Sequence, residues 1–478
     1  MIRSTAVLAL TLSLATTAAL AKPHKAPPAP AAAPAPVDPA VTAAALRDKA
    51  LTDSTAWDYV ESLTTEVGPR LAGTIEAERG KDWGLARLKA LGFENVHAEP
   101  FTMTSWTRGA ESAEVTAPYP QPLVIIGLGG GVPTPPGGIE AEIALFHSYA
   151  DLLAAPPGSL AGKIAVVTQP MVRTQDGSGY GAGTTVRRKG PAEAARRGAI
   201  AFLLRSASTS DSRLPHTGKT DYAEGVPKIP AAALGVPDAE LLDRMVARGK
   251  PVRIRLMLES HEIPNAPAWN VVGEIRGSQK PDEVVAIGGH MDSWDPAQGA
   301  IDDGAGMAIT VAAAKLIGDL PRHPRRTIRV VLFGAEEMDF ADKAFGAAHQ
   351  GETGQFVATS ESDSGTGPVW QLSLPKGALT APALKAVPSL MASLKVLISP
   401  QPSTFSGSDF SVIEAGGVPS FAFRPDVTRY FDVHHSADDT LDQIDPKGLA
   451  QSVAAYAALV YLIADSDIDF RALAAAPK

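Results

Sequence analysis

Three apolar runs in this chain each end in acids or a histidine. VVAIGGH closes on His290, RVVLFGAEE on Glu336 and Glu337, and QFVATSESD on Asp363. Short, near-continuous apolar runs bounded by turns read as strands buried on both faces, as in parallel sheets covered by helices. Helical patterns lie between and after them: DDGAGMAITVAAAKLIGDL (302–320), and a last helix opened by Asp445 as N-cap with Pro446 in its first turn. The expected fold is therefore α/β, with a mixed, mostly parallel central sheet and helices on both faces. In such sheets ligands bind at the carboxyl ends of strands. The polar clusters occupy those ends, so residues distant in sequence can converge there.

The rest of the chain is organised around that sheet. Residues 1–21 have Arg3 ahead of a short apolar core and end in Ala19-Leu20-Ala21, the pattern of a cleaved signal peptide, with cleavage after Ala21. The apolar run is shorter than the ~20 residues of a membrane span, and no Cys follows to carry a lipid. A secreted or periplasmic protein without a membrane anchor is expected. Residues 22–40, rich in Pro and Ala, read as an extended linker. A helix is expected over 75–92, stopping at Gly92, and a strand at NVHAEPF. The stretch 108–262 changes character: it is rich in Gly and Pro turns, with short strands at KIAVVTQ and IAFLLR and a helix at GPAEAARRG. It reads as an inserted β-rich domain, leaving 41–107 and 263–478 to join as one larger domain. Net charge is −9 without any basic run, which gives no support to nucleic-acid binding.

The chain has no Cys, so a reactive site must come from His, carboxylates, hydroxyls and Arg. Histidine with several carboxylates suits Zn²⁺ or another divalent ion through nitrogen and oxygen donors. GGHMDSWDPAQGAIDDGAG (288–306) concentrates His290, Asp292, Asp295, Asp302 and Asp303 among small residues. Asp292 can curl back after the strand end and hold the His290 imidazole. Asp302-Asp303 also fits the acidic start of a helix, a reading compatible with metal binding. Asp295 has no evident role. There is no G-x-S-x-G elbow for serine hydrolysis.

HMDSWD, GAIDDGAG, FGAEE, SESDSG and HHSADDT, in that order, resemble the co-catalytic dizinc aminopeptidase superfamily, closest to its carboxypeptidase Q-like peptidases. The likeness covers about 41–478. It implies a phosphorylase/hydrolase-like α/β fold, and a protease-associated-like character for 108–262. It further implies two Zn²⁺ per chain: Asp302 bridging them, His290 and Asp363 on one, Glu337 and a C-terminal His on the other. Glu336 matches the general base that takes a proton from metal-activated water. The Asp302–Asp303 peptide bond is implied to be cis. His434 and His435 are adjacent; the pattern His-Ser/Thr-x-x-Asp-Thr starts at His435, so His435 is assigned to the metal. His434 is then a substrate or transition-state contact, or a neighbour pointing away. Asp439 is expected to orient His435. Tyr430 and His434 are oxyanion-donor candidates. Ser408 and Asp409 are either polar points of the substrate pocket or a helix N-cap.

The implied activity is that of a secreted exopeptidase of aminopeptidase or dipeptidase type, cleaving dipeptides or short peptides. The inserted domain helps close the site or forms dimer contacts in such relatives, which makes a homodimer an expectation here. Two other classes compete: a non-catalytic receptor or scaffold on the same fold, and a single-zinc acyl-transfer cyclase on a related one. All matching ligand positions are filled, which favours the peptidase.

Overall fold

The computed structural model describes Met1, residues 5–7, Ala9 and, continuously, residues 38–475. Most of the leader-like segment 1–21 and nearly all of the Pro/Ala stretch lie outside the described residues. Asp38 accepts a hydrogen bond from Ala40 N at 2.9 Å and opens the helix Pro39–Ala50. The first helix thus begins two residues before the expected end of the linker.

Alternation along the central strands sends side chains into two cores, so that both sheet faces are buried. In the strand Lys280–His290, Val285 and Ile287 join the helices Thr55–Glu66, Ala305–Gly318 and Pro446–Ala464 in one cluster. Val284 and Ala286 join Phe333, Phe345 and Phe410 in another. Pro446–Ala464 is capped by Asp445, whose carboxylate accepts from Lys447 N at 3.0 Å. Among the described residues it is the one helix long and apolar enough to cross a membrane, but its apolar surface is spent inside the protein, against Pro39–Ala50 and Ala305–Gly318.

The strands that carry the polar clusters are neighbours, in the order Phe356–Glu361, Lys280–His290, Arg326–Phe333. They run parallel, with His290 opposite Phe333 and Glu361 opposite Gly288. Their carboxyl ends therefore share one edge, as the clusters require. The sheet is mixed but less parallel than expected. Arg253–Ile275 lies antiparallel to Arg326–Phe333 and also to Glu94–Ala117, with which it forms a long ribbon. A ribbon of two long strands needs no helical crossover, so it brings antiparallel pairing into an otherwise wound sheet.

The boundaries expected at 107/108 and 262/263 fall within that ribbon, where Thr107 pairs with His261 and Arg108 with Ser260. Beyond it, Ile139–Phe146 pairs with Arg253–Ile275, and Ile164–Val167, Ala201–Arg205 and Ala231–Leu234 follow in parallel. These strands bury two apolar clusters of their own. The segment also holds the helices Tyr180–Arg196 and Val236–Val246, so it is α/β rather than simply β-rich. The segment VPSFAFRPD contributes Ala422–Pro425 to a separate three-stranded sheet.

Candidate metal centre

At the shared carboxyl edge the Asp302 carboxylate stands between two groups of donors. On one side, His290 Nε2 lies 3.2 Å from Asp302 Oδ1 and 3.7 Å from Asp363 Oδ1. On the other, His435 Nε2 lies 3.2 Å from Asp302 Oδ2 and 3.1 Å from Glu337 Oε2. His434 Nε2 also faces Asp302 Oδ2, at 3.5 Å, so it does not point away. Donor atoms of His290, Asp302 and Asp363 all lie within 4.8 Å of one another, as do those of Asp302, His434 and His435. Glu337 Oε1 and Asp363 Oδ1 are buried without a hydrogen-bond partner. Unpartnered carboxylate oxygens beside imidazole nitrogens fit a divalent cation.

Adjacent side chains of an extended chain point to opposite sides, yet the rings of His434 and His435 stack at 3.6 Å. The cause is local: His435 has φ +60°, a left-handed conformation uncommon outside Gly. Thr217 N holds it there by donating to His435 O at 2.9 Å. The Thr217 carbonyl faces His435 Nδ1 at 3.2 Å. Donation to that carbonyl leaves the Nε2 lone pair free for a metal.

The loop between His290 and Asp302 is set by groups the sequence did not single out. The Arg70 guanidinium, fully buried, donates to the carbonyls of Gly68 and Gly299 at 3.1 and 2.9 Å, and also to those of Met291 and Gln298. Burial lowers its pKa to about 10, against the pull of Asp439, Asp292, Asp303 and Asp302. It is the resident counter-charge behind the acids. The Asp302–Asp303 bond is cis. Asp303 turns inward, accepting from His290 N at 3.1 Å and Gly306 N at 3.0 Å. A Cβ on Gly289 or Gly306 would collide with its carboxylate, which explains the small residues around it.

Several expected roles shift. Asp292 does orient His290, but through its backbone carbonyl, which accepts from Nδ1 at 2.9 Å; its carboxylate instead accepts from Glu336 N at 3.0 Å. Asp439 receives Ile301 N and Asp302 N at 2.6 and 3.2 Å, so it positions Asp302 rather than His435. Ser408 donates to Glu336 Oε1 at 2.6 Å and so contacts the expected base itself. Asp409 is buried behind the site, its N–H on Glu361 Oε2 at 2.7 Å. Neither residue caps the following helix Ser411–Ala415, where the N-cap position falls on Phe410. Tyr430 lines the cleft of about 310 Å³ together with Asp302, Glu336, Glu337, Asp363 and both histidines. Asp295 forms a two-pronged pair with Arg108, at 2.7 and 3.0 Å.

Charge at the centre is unbalanced in a consistent direction. Burial would depress the His290 and His435 pKa values, yet both rise well above the usual range because Asp302 and Asp363 flank one and Glu337 and Asp302 the other. Burial would raise Asp302, but His434, His290 and His435 hold it well below the carboxylate range. Burial pushes Asp292 and Asp439 up to about 7, and Glu336 well up, with Asp363 and Glu337 adding to Glu336. A site that draws protons onto its imidazoles draws a divalent cation in their place.

The model of peptidase family M28 matches residues 270–460, the stretch that contains every donor above. Carboxypeptidase Q of Bos taurus is 37% identical over 416 residues, covering 86% of this chain and 85% of the relative. This chain belongs to peptidase family M28. It is a metallopeptidase, a hydrolase of peptide bonds. Human carboxypeptidase Q is 36% identical over 413 residues, 86% of each chain. The crystal structure of a peptidase M28 precursor from Shewanella amazonensis matches this M28 peptidase with a TM-score of 0.87 and 43% identity, over 90% of this chain and 98% of the other. A zinc aminopeptidase of Bacillus subtilis shares the fold at 18% identity, with a TM-score of 0.61 over 85% and 94% of the two chains. Neither a scaffold nor a cyclase finds support among these relatives.

Proposed function

We propose that this M28 peptidase is a dizinc exopeptidase of aminopeptidase or dipeptidase type, acting on dipeptides or short peptides. The observation that carries the reading is the Asp302 carboxylate, with one oxygen toward His290 and the other toward His435. His290, Asp302 and Asp363 would hold one ion, and Asp302, Glu337 and His435 the other. His435 is the better ligand of the adjacent pair because Thr217 fixes its ring, whereas His434 Nδ1 has no partner. When bound, two Zn²⁺ supply Lewis acidity that lowers the pKa of water and polarises the scissile carbonyl.

The chain's own residues do the rest. Glu336 accepts the proton of the attacking water and delivers it to the leaving amine. Ser408 fixes one Glu336 oxygen and leaves the other to carry the proton. Tyr430 and His434 would donate to the developing oxyanion, a reading supported by their lining the cleft. We read 108–262 as an insert joined through the ribbon, and the leader-like segment 1–21 supports export to the periplasm or beyond.

Assaying a panel of dipeptides and of N-blocked peptides, before and after chelation, tests this reading. Free dipeptides are expected to be cleaved and blocked ones spared, with activity lost on chelation and restored by Zn²⁺. Hydrolysis unaffected by chelation overturns it.

A further inference from the structure

Five basic residues of the 108–262 segment approach the cleft or its supporting loops, among them Arg173, which pairs with Asp432. Arg108 is paired with Asp295, while Arg188 and Lys219 both pair with Asp339. Arg187 differs. It is 4% exposed, and among the described residues no carboxylate lies within ion-pair distance of it. Its Nη1 donates to the Tyr180 hydroxyl at 2.9 Å and the Thr217 carbonyl at 3.3 Å, and lies 3.2 Å from His435 Nδ1. Nε is buried and unpartnered, and Nη2 has no hydrogen bond among the described residues. The guanidinium lies flat on Gly218, where any Cβ would collide with its Cζ, Nη1 and Nε. The chain thus makes room for a cation on the cleft wall, and the described residues supply no anion for it.

A buried, unpaired guanidinium is costly unless a partner arrives, and its unbonded Nη2 can donate to a carboxylate oxygen in a charge-assisted hydrogen bond. We propose that Arg187, with the Tyr180 hydroxyl beside it, receives a carboxylate of the bound peptide, and so selects substrates that carry one close to the scissile bond. The proposal rests on the peptidase reading above. It gives the 108–262 segment a specificity role that nothing in the metal-ligand set supplies. Such a carboxylate has two sources in a short peptide: the free C-terminus or an acidic side chain. Arg187 is a specificity residue here and holds no proton in the reaction.

The test compares Ala-Ala with its C-terminal amide, and Ala-Asp amide with Ala-Asn amide, for the zinc-loaded wild type and Arg187→Ala. Wild type is expected to favour the carboxylate-bearing member of one pair by about a hundredfold in kcat/KM. That ratio falls to within a few fold of unity in Arg187→Ala, mainly through loss of turnover of the preferred member. Loss of the first ratio identifies the C-terminus as the source, and loss of the second the side chain. Equal loss on both members of each pair, or a preference that survives in the variant, overturns the proposal by assigning Arg187 to support of His435 alone. A wild type without preference in either pair overturns it as well. Calorimetric binding of the same compounds to zinc-loaded Glu336→Gln reads the anchor without turnover. An error in the assignment of the base therefore leaves this test intact.

Discussion

Residues in this centre work through neighbours that the motifs do not contain. Ser408 was one of two polar points in a loop, with a helix cap as its other reading. It lines the cleft, and its hydroxyl donates to Glu336, 2.6 Å from Oε1. A hydrogen bond to a charged group contributes about 1.5–3 kcal/mol. Ser408→Ala should therefore lower kcat about ten- to a hundredfold with little change in KM, and Ser408→Thr should recover part of the loss. An unchanged kcat would detach Ser408 from the base. The candidate donors His290, Glu337 and Asp363 were legible because each sits in a short motif at a strand end, and Asp302 because its acidic pair opens a helix. Thr217 and Arg187 were not. They meet His435 across more than two hundred positions of sequence, and nothing local marks a residue for a tertiary contact of that kind.

At the scale of elements, the three loaded strand ends were readable because parallel neighbours put all their carboxyl ends on one edge. The length of the ribbon Glu94–Ala117 with Arg253–Ile275 was not, since Gly and Pro turns around it broke the pattern into short pieces. The support of the 291–303 loop has two measurable parts. Arg70→Met removes the donor to four carbonyls and the counter-charge beneath the acids. It should destabilise the fold by about 3 kcal/mol, measured as a shift in the denaturant midpoint at constant slope. Gly306→Ala places a methyl against Asp303 and the Ser362 carbonyl. It should cost about 1–3 kcal/mol and weaken zinc retention, because Asp303 and Asp302 share one peptide unit. A Gly306→Ala protein with wild-type stability and zinc content would contradict the packing argument.

Across the whole molecule, residues from Asp38 onward form one compact unit. The 108–262 segment reaches the catalytic edge through cations on anions: Arg108 to Asp295, Arg173 to Asp432, Arg188 and Lys219 to Asp339. Asp295, which had no evident role in sequence, is explained at this scale. Metal and fold are coupled too, since ions bound only by the folded chain stabilise it by mass action. Zinc at a hundredfold excess over its dissociation constant should add about 2.7 kcal/mol. Chelation is accordingly expected to lower Tm by several degrees and zinc to restore it. A Tm indifferent to both would mean that the donors around Asp302 hold no ion.

The most direct test of the central claim joins metal content to turnover in one protein, Glu336→Gln. The substitution keeps the size of the side chain and its contact with Ser408 while removing the proton acceptor. The expected result is two zinc ions per chain with dipeptide turnover reduced by about 10²–10⁴-fold. A variant that keeps its turnover, or one that holds no zinc, would contradict the assignment of Glu336 as the base beside a metal centre built on Asp302.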